Sequence, residues 1–195
     1  MYQTKNDLAE SIRANAIVLL NSRLADCVDL QTQTKQAHWN VKGLNFIALH
    51  KLFDEINESV EDYVDDIAER VVQLGGVAEG TARVVATRSS MPEYVVDSSG
   101  HVDALSSALA VFGKRAREAI GWANEIGDLD TADLFTEVSR GIDKWLWFVE
   151  AHLQPTCGPD NPSEGRAASS FVGAGNQSTL AASHAMRSNE PAVCT

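Results

Sequence analysis

Four stretches of this chain repeat apolar residues about every 3.6 positions, and a single long connector separates the second from the third. That pattern restricts the chain to packed helices. The first stretch carries Leu8, Ile12, Ala16, Leu19, Leu20, Leu24, Cys27 and Val28. The second carries Leu49, Leu52, Phe53, Ile56, Val60, Val64, Ile67, Val71 and Leu74. The third carries Leu105, Leu109, Phe112, Ala116, Ile120 and Ala123, and the fourth Leu134, Val138, Ile142, Trp145, Val149 and Leu153. No segment alternates with period two, so little or no sheet is expected.

The ends of these stretches carry their own signals. Gly43 interrupts the chain after the first. Gly75-Gly76 ends the second and Gly127 the third, because glycine takes the left-handed conformation that a helix end needs. Residues 97–100 offer capping side chains ahead of the third helix, and Asp130 or Thr131 can cap the fourth. Pro155 is expected to stop it. Short turns make antiparallel pairs of helices one and two and of helices three and four. The connector over residues 75–99 is long for a bundle, and it can carry the chain from one end to the other. Four helices with one long crossover is the all-α, ferritin-like topology. Residues 91–94 could add a short helix within the crossover.

The texture of the chain changes near residue 155. Residues 1–154 hold one proline, Pro92, whereas 155–195 hold the other four and are rich in Gly, Ser and Ala. The expected organisation is therefore a helical bundle over 1–154 and a tail over 155–195. Three widely spaced cysteines, Cys27, Cys157 and Cys194, make neither a disulfide framework nor a thiolate zinc site, which fits a reducing cytoplasm. No apolar run approaches the roughly 20 residues of a membrane span. The first ten residues lack the charged start and apolar block of a secretory signal.

The polar side of the second helix is less ordinary. His50, Asp54, Asp65 and Glu69 are spaced so that all four lie on one stripe. His38 sits just upstream, near the end of the first helix, beside Trp39. Two imidazoles and three carboxylates form a mixed N/O set suited to Fe(II), Mn(II) or Zn(II). From Asp54 to Asp65 a helix rises about 16 Å, too far for one metal with bonds of about 2 Å. Two copies of the helix packed antiparallel would solve this. His38, His50 and Asp54 of one chain would then face Asp65 and Glu69 of the other, and a two-fold axis would make two equal sites. The alternative is a solvated acidic face, since Glu58, Glu61, Asp62 and Asp66 are close by. The two histidines and the tryptophan on one short segment favour ligands. An intrasubunit di-iron centre would need Glu-x-x-His motifs. None is present, and in Glu150-Ala-His152 the spacing is wrong.

At this point the residues resemble a known family. The run from Lys35 to Gly43 (KQAHWNVKG), with Phe46, Leu49-His50 and Asp54, resembles the Dps mini-ferritins (DNA-binding proteins from starved cells). So do Asp65, Ala68-Glu69-Arg70, the run from Gln73 to Gly76, Gly80-Thr81, Thr131-Ala132-Asp133, Arg140, Asp143-Lys144 and the run from Leu146 to Glu150. The resemblance spans roughly residues 5–154. It implies a hollow dodecamer built from two-fold dimers. It further implies that Fe(II) is oxidised at the dimer interface, preferably by hydrogen peroxide, and stored inside as ferric mineral, protecting the cell from oxidative damage. The family's ferroxidase ligands fall on His38, His50, Asp54, Asp65 and Glu69. Trp39 matches the tryptophan near the iron in many relatives. Zinc or another divalent ion could occupy the same ligands. Acidic pores at the family's three-fold axes form near the turn from the third to the fourth helix, where Glu125, Asp128, Asp130 and Asp133 are the candidates for iron access.

DNA binding, which the family name suggests, finds little support in the residues. With 16 basic against 27 acidic side chains, the formal charge is −11. Such a surface repels phosphates and anionic lipid and attracts cations. The segment before Leu8 has Lys5 against Asp7, and the tail has Arg166 and Arg187 against Asp160, Glu164 and Glu190. The alternative function is a nucleoid-associated protein that compacts DNA. In the tail, Phe171, Val172 and Leu180 could dock on a shell, and His184, Met186 and Cys194 form only an irregular ligand set.

Overall fold

The computed structural model describes residues 1–96 and 100–154. These residues fall within the unit Met1–Pro155, and the expected tail lies outside them. Five helices follow in order: α1 (Glu10–Asn40), α2 (Phe46–Gln73), α3 (Ala82–Arg88), α4 (His101–Ile126) and α5 (Leu129–Glu150). Among the described residues there is no strand. α1 packs along α2 and α4, α5 along α4 and α2, and α3 lies on α1. The apolar stripes close on one core. Leu20, Leu24 and Leu30 of α1 are buried with Phe53, Ile56 and Ile67 of α2, Leu105, Leu109 and Phe112 of α4, and Phe135 and Ile142 of α5. Each such side chain contributes about 1.5–3 kcal/mol by leaving water.

The glycine stops behave as expected. Gly75 has φ +85°, Gly76 N–H donates to the Val71 carbonyl at 2.9 Å and Gly75 N–H to Val72 at 2.9 Å. Gly127 repeats the arrangement after α4, with φ +84°, Asp128 N–H on Ala123 and Gly127 N–H on Asn124. These are Schellman closures that satisfy the last carbonyls of each helix.

α1 runs past its apolar stripe to Asn40, so His38 stands near its end as expected. Its second half buries polar side chains that find partners: Thr34 Oγ1 donates to the Leu30 carbonyl at 2.8 Å, and Gln33 Nε2 to the Pro92 carbonyl at 3.0 Å. Three expectations need correction. First, the short crossover helix is α3, not residues 91–94. Proline at 92 disfavours helical backbone at Met91. The neighbouring extended segment is pinned to α1 instead: Ser90 N–H donates to Asp26 Oδ1 at 2.7 Å and Ser89 Oγ to Asp29 Oδ2 at 2.5 Å.

Second, the cap of α5 is Asp128, not Asp130 or Thr131. Its carboxylate accepts from Thr131 N–H at 3.1 Å. Third, α5 ends at Glu150, before Pro155 is reached. Its last turn tightens to three-residue hydrogen bonds from His152 to Val149 and from Leu153 to Glu150. α4 starts at His101 behind Gly100, which has no side chain to cap with. The rest of the expected capping stretch, 97–99, lies outside the described residues.

Candidate metal centre

The turn between α1 and α2 brings two histidines face to face. Val41 is buried and closes α1, Gly43 takes φ +106°, and Phe46 N–H returns to the Gly43 carbonyl at 3.1 Å. His38 and His50 then stack with ring centroids 3.7 Å apart and planes 24° from parallel. His38 Nδ1 lies 2.8 Å from the His50 carbonyl oxygen, and His50 Nδ1 lies 3.0 Å from the His38 carbonyl oxygen. A carbonyl only accepts, so both Nδ1 atoms carry the proton. In the neutral rings this leaves each Nε2 with a free lone pair, the form in which imidazole binds a metal. Phe46 packs on His50 at 5.2 Å.

Asp54 follows one turn after His50. Its Oδ1 accepts from Lys35 Nζ at 2.7 Å and lies 3.8 Å from His38 Nδ1. The hydrogen bond from Lys35 holds the Asp54 carboxyl below its ordinary range. Partial desolvation opposes this, and the charges of Lys35, His38 and His50 reinforce it. Lys35 was not singled out from the sequence. It lies on α1 one turn ahead of His38 and meets Asp54 of α2 only through the fold, 19 positions away, so no same-helix spacing marks it.

Asp65 and Glu69 are exposed on the far half of α2. Among the described residues, no three His, Cys, Asp or Glu side chains of one chain are grouped to hold a metal. The five candidates thus divide into a cluster of His38, His50 and Asp54 and a separate pair, Asp65 and Glu69. Trp39 is 66% exposed. It shares a cavity of about 440 Å³ with Lys35, Asn57 and Tyr94.

The acidic candidates near the α4–α5 turn separate as well. Asp128 is buried, and its oxygens are taken up by the Thr131 amide, the Thr131 hydroxyl at 2.6 Å and the Arg70 guanidinium at 2.8 Å. It is a structural residue of the turn. Glu125, Asp130 and Asp133 are exposed. Asp130 and Asp133 line a polar concavity of about 260 Å³ with Glu69, Asp66 and Glu137. Burial, then Glu137, Asp62 and Asp65, push the Asp66 carboxyl up. No helix among the described residues is long and apolar enough to cross a membrane.

The bundle and its long crossover define a ferritin-like protein, and residues 17–156 match the ferritin-like domain family. The DNA protection during starvation protein of Agrobacterium fabrum is 44% identical over 156 residues, covering 78% of this chain and 96% of that protein. The Mycobacterium smegmatis Dps structure superposes with a TM-score of 0.75 at 29% identity, over 86% of this chain and 99% of that one. DpsA14 from Streptomyces coelicolor gives 0.74 at 34% identity, over 80% and 94%. The chain belongs to the Dps family of mini-ferritins.

Proposed function

We propose that this protein is a ferroxidase that oxidises Fe(II) at centres shared between two subunits and stores the product as ferric mineral inside a dodecameric shell in the cytoplasm. The observation that carries this reading is the reciprocal hydrogen bonding of His38 and His50, which leaves two imidazole Nε2 lone pairs one helical turn from the Asp54 carboxylate. Asp65 and Glu69 share the same helix but lie about 16 Å or more further along its axis. An antiparallel two-fold pairing of α2 brings them to the partner's histidines.

Iron is the substrate. Neutral imidazoles retain Fe(II), and hard carboxylates favour Fe(III) as charge builds. Two Fe(II) ions held side by side give peroxide both electrons at once: its O–O bond breaks, two Fe(III) and two hydroxides form, and no hydroxyl radical escapes. For each ion that binds Asp54, the Lys35 ammonium must yield. Asp130 and Asp133 share a concavity with Glu69 and give cations an acidic approach, Glu125 extends the acidic surface near the turn, and Trp39 lies beside the centre. The bundle over 1–154 is the shell-forming part, and 155–195 a tail.

A DNA-compacting role is the second reading, favoured by the relatives' names alone. The formal charge of −11 opposes it. Zinc could hold the same ligands without turnover. The deciding experiment is anaerobic Fe(II) loading followed by stopped-flow mixing with peroxide or oxygen, for the wild type and Glu69→Ala. Fast peroxide-driven oxidation in the wild type, lost in the variant, is expected. Equal, slow oxidation in both overturns the reading.

A further inference from the structure

Tyr94 and His101 form a second histidine-containing pair, away from the five candidate ligands. The Tyr94 hydroxyl lies 2.8 Å from His101 Nδ1, and the rings run parallel within 6° at 6.0 Å. His101 is buried at the start of α4. Tyr94 is half-buried on the crossover, held there by the Gln33 bond to Pro92 two residues earlier. Tyr94 also lines the cavity that holds Lys35 and Trp39.

We propose that Tyr94 and His101 act as a proton-coupled one-electron donor that disarms oxidising radicals formed beside the cavity. The Tyr94 O–H bond breaks, the electron goes to the radical, and the proton moves to His101 Nδ1. With hydroxyl radical as oxidant, the hydroxide formed takes up that proton, so the sum is one phenol and one hydroxyl radical giving one phenoxyl radical and one water. Such radicals arise when a single Fe(II) meets peroxide, and in this respect the inference rests on the proposed ferroxidase.

The environment suits the task. Burial pushes the Tyr94 phenol up to about 12, so it is protonated at neutral pH and cannot lose an electron readily without losing its proton. Burial, with Lys42 adding to it, holds the His101 imidazole below its ordinary value. It therefore stays neutral, and in its Nε2–H tautomer Nδ1 holds the lone pair that meets the phenol proton. A phenol in hydrogen-bond contact with a neutral base is the arrangement in which electron and proton leave together. Trp39, largely exposed in the same cavity, is placed to be oxidised first and to pass the hole inward.

Pulse radiolysis of the iron-free, full-length protein with azide radical tests this directly. A Tyr2→Phe background removes the exposed Tyr2. Indolyl absorbance should decay into phenoxyl absorbance. Tyr94→Phe should remove most of the phenoxyl yield, and His101→Phe should slow its rise about tenfold, as loss of one hydrogen-bonded acceptor implies. Phenoxyl formation in the Tyr2→Phe protein with His101 intact should also slow in deuterium oxide. That comparison holds even if His101→Phe fails to fold. An undiminished yield in Tyr94→Phe, or no slowing in deuterium oxide, overturns the proposal. The assay contains no iron, so its outcome is separate from the ferroxidase test with Glu69→Ala.

Discussion

His38 and His50 each donate a ring Nδ1–H to the other's backbone carbonyl, at 2.8 and 3.0 Å, while their rings stack. The two bonds do more than hold a turn. They fix one tautomer at both residues before any metal arrives. Nitrogen NMR of the metal-free protein should show Nδ1 protonated and Nε2 bare at both positions. An Nε2–H tautomer at either would remove the basis for their role as ligands. His38→Phe keeps a stackable ring and loses both nitrogens. It should preserve the helices by circular dichroism and weaken Co(II) binding by about tenfold or more, the scale on which metal sites respond to lost ligands and their supports.

The Lys35–Asp54 contact sets a second expectation. The ammonium occupies a carboxylate oxygen that a metal would need. Lys35→Met should raise Fe(II) or Co(II) affinity at the centre by a few-fold, because a half-exposed pair is weak and easily displaced. Unaltered affinity would mean that Asp54 is not a ligand. The same contact has a pH signature. The folded Asp54 carboxyl titrates below its ordinary 3.8. The stability it adds is therefore complete above the unfolded value and lost as the pH falls through the lower folded value. Carbon NMR should give Asp54 a midpoint below 3.8 in the wild type, returning toward it in Lys35→Met.

Asp65 is exposed on α2. Asp65→Ala should leave helicity and the thermal transition within about 0.5 kcal/mol of wild type, yet abolish fast peroxide-driven oxidation. Unchanged kinetics would refute the assignment of this residue to the partner's centre.

Much of this was legible before any coordinates. Period 3.6 places Phe53, Ile56 and Ile67 on the core side of α2. The opposite spacing rule places His50, Asp54, Asp65 and Glu69 on one polar stripe. Gly75 and Gly127 announce their helix ends because no other residue sits easily at φ near +85°. What escaped depends on long separations. Asp128, Asp130 and Thr131 are equally good caps on paper. Only burial beside Arg70, 58 positions away, selects Asp128. α3 escaped because seven residues bury a single side chain, Val85, too little for a periodic signal.

Arg70 is the hinge of that hidden network. It reaches Asp128 at 2.8 Å and Thr131 Oγ1 at 3.1 Å, with all three buried. Arg70→Leu strands the Asp128 charge in the interior and should cost about 3–5 kcal/mol in urea unfolding. Adding Asp128→Asn removes the stranded charge while keeping a cap, and should recover part of the loss. Equal destabilisation by the single and double variants would show that packing of the arginine stem, not charge pairing, holds the turn between α4 and α5.

Gly141 tests the core from the other side. It sits in mid-α5 with its missing side chain facing the phenol of Tyr63 on α2. A Cβ built there collides with the Tyr63 hydroxyl and comes within 2.9 Å of Cζ. In an open helix, Gly→Ala would stabilise, since alanine is the better helix former by about 1 kcal/mol. Here overpacking should prevail, and Gly141→Ala should destabilise the bundle by about 1–3 kcal/mol. Tyr63→Phe removes the colliding oxygen, so the alanine should cost less in that background than in the wild type. A double-mutant cycle measures the difference. If Gly141→Ala stabilises the wild-type protein, α2 and α5 are free to move apart at this crossing, and the glycine is not what allows their close approach.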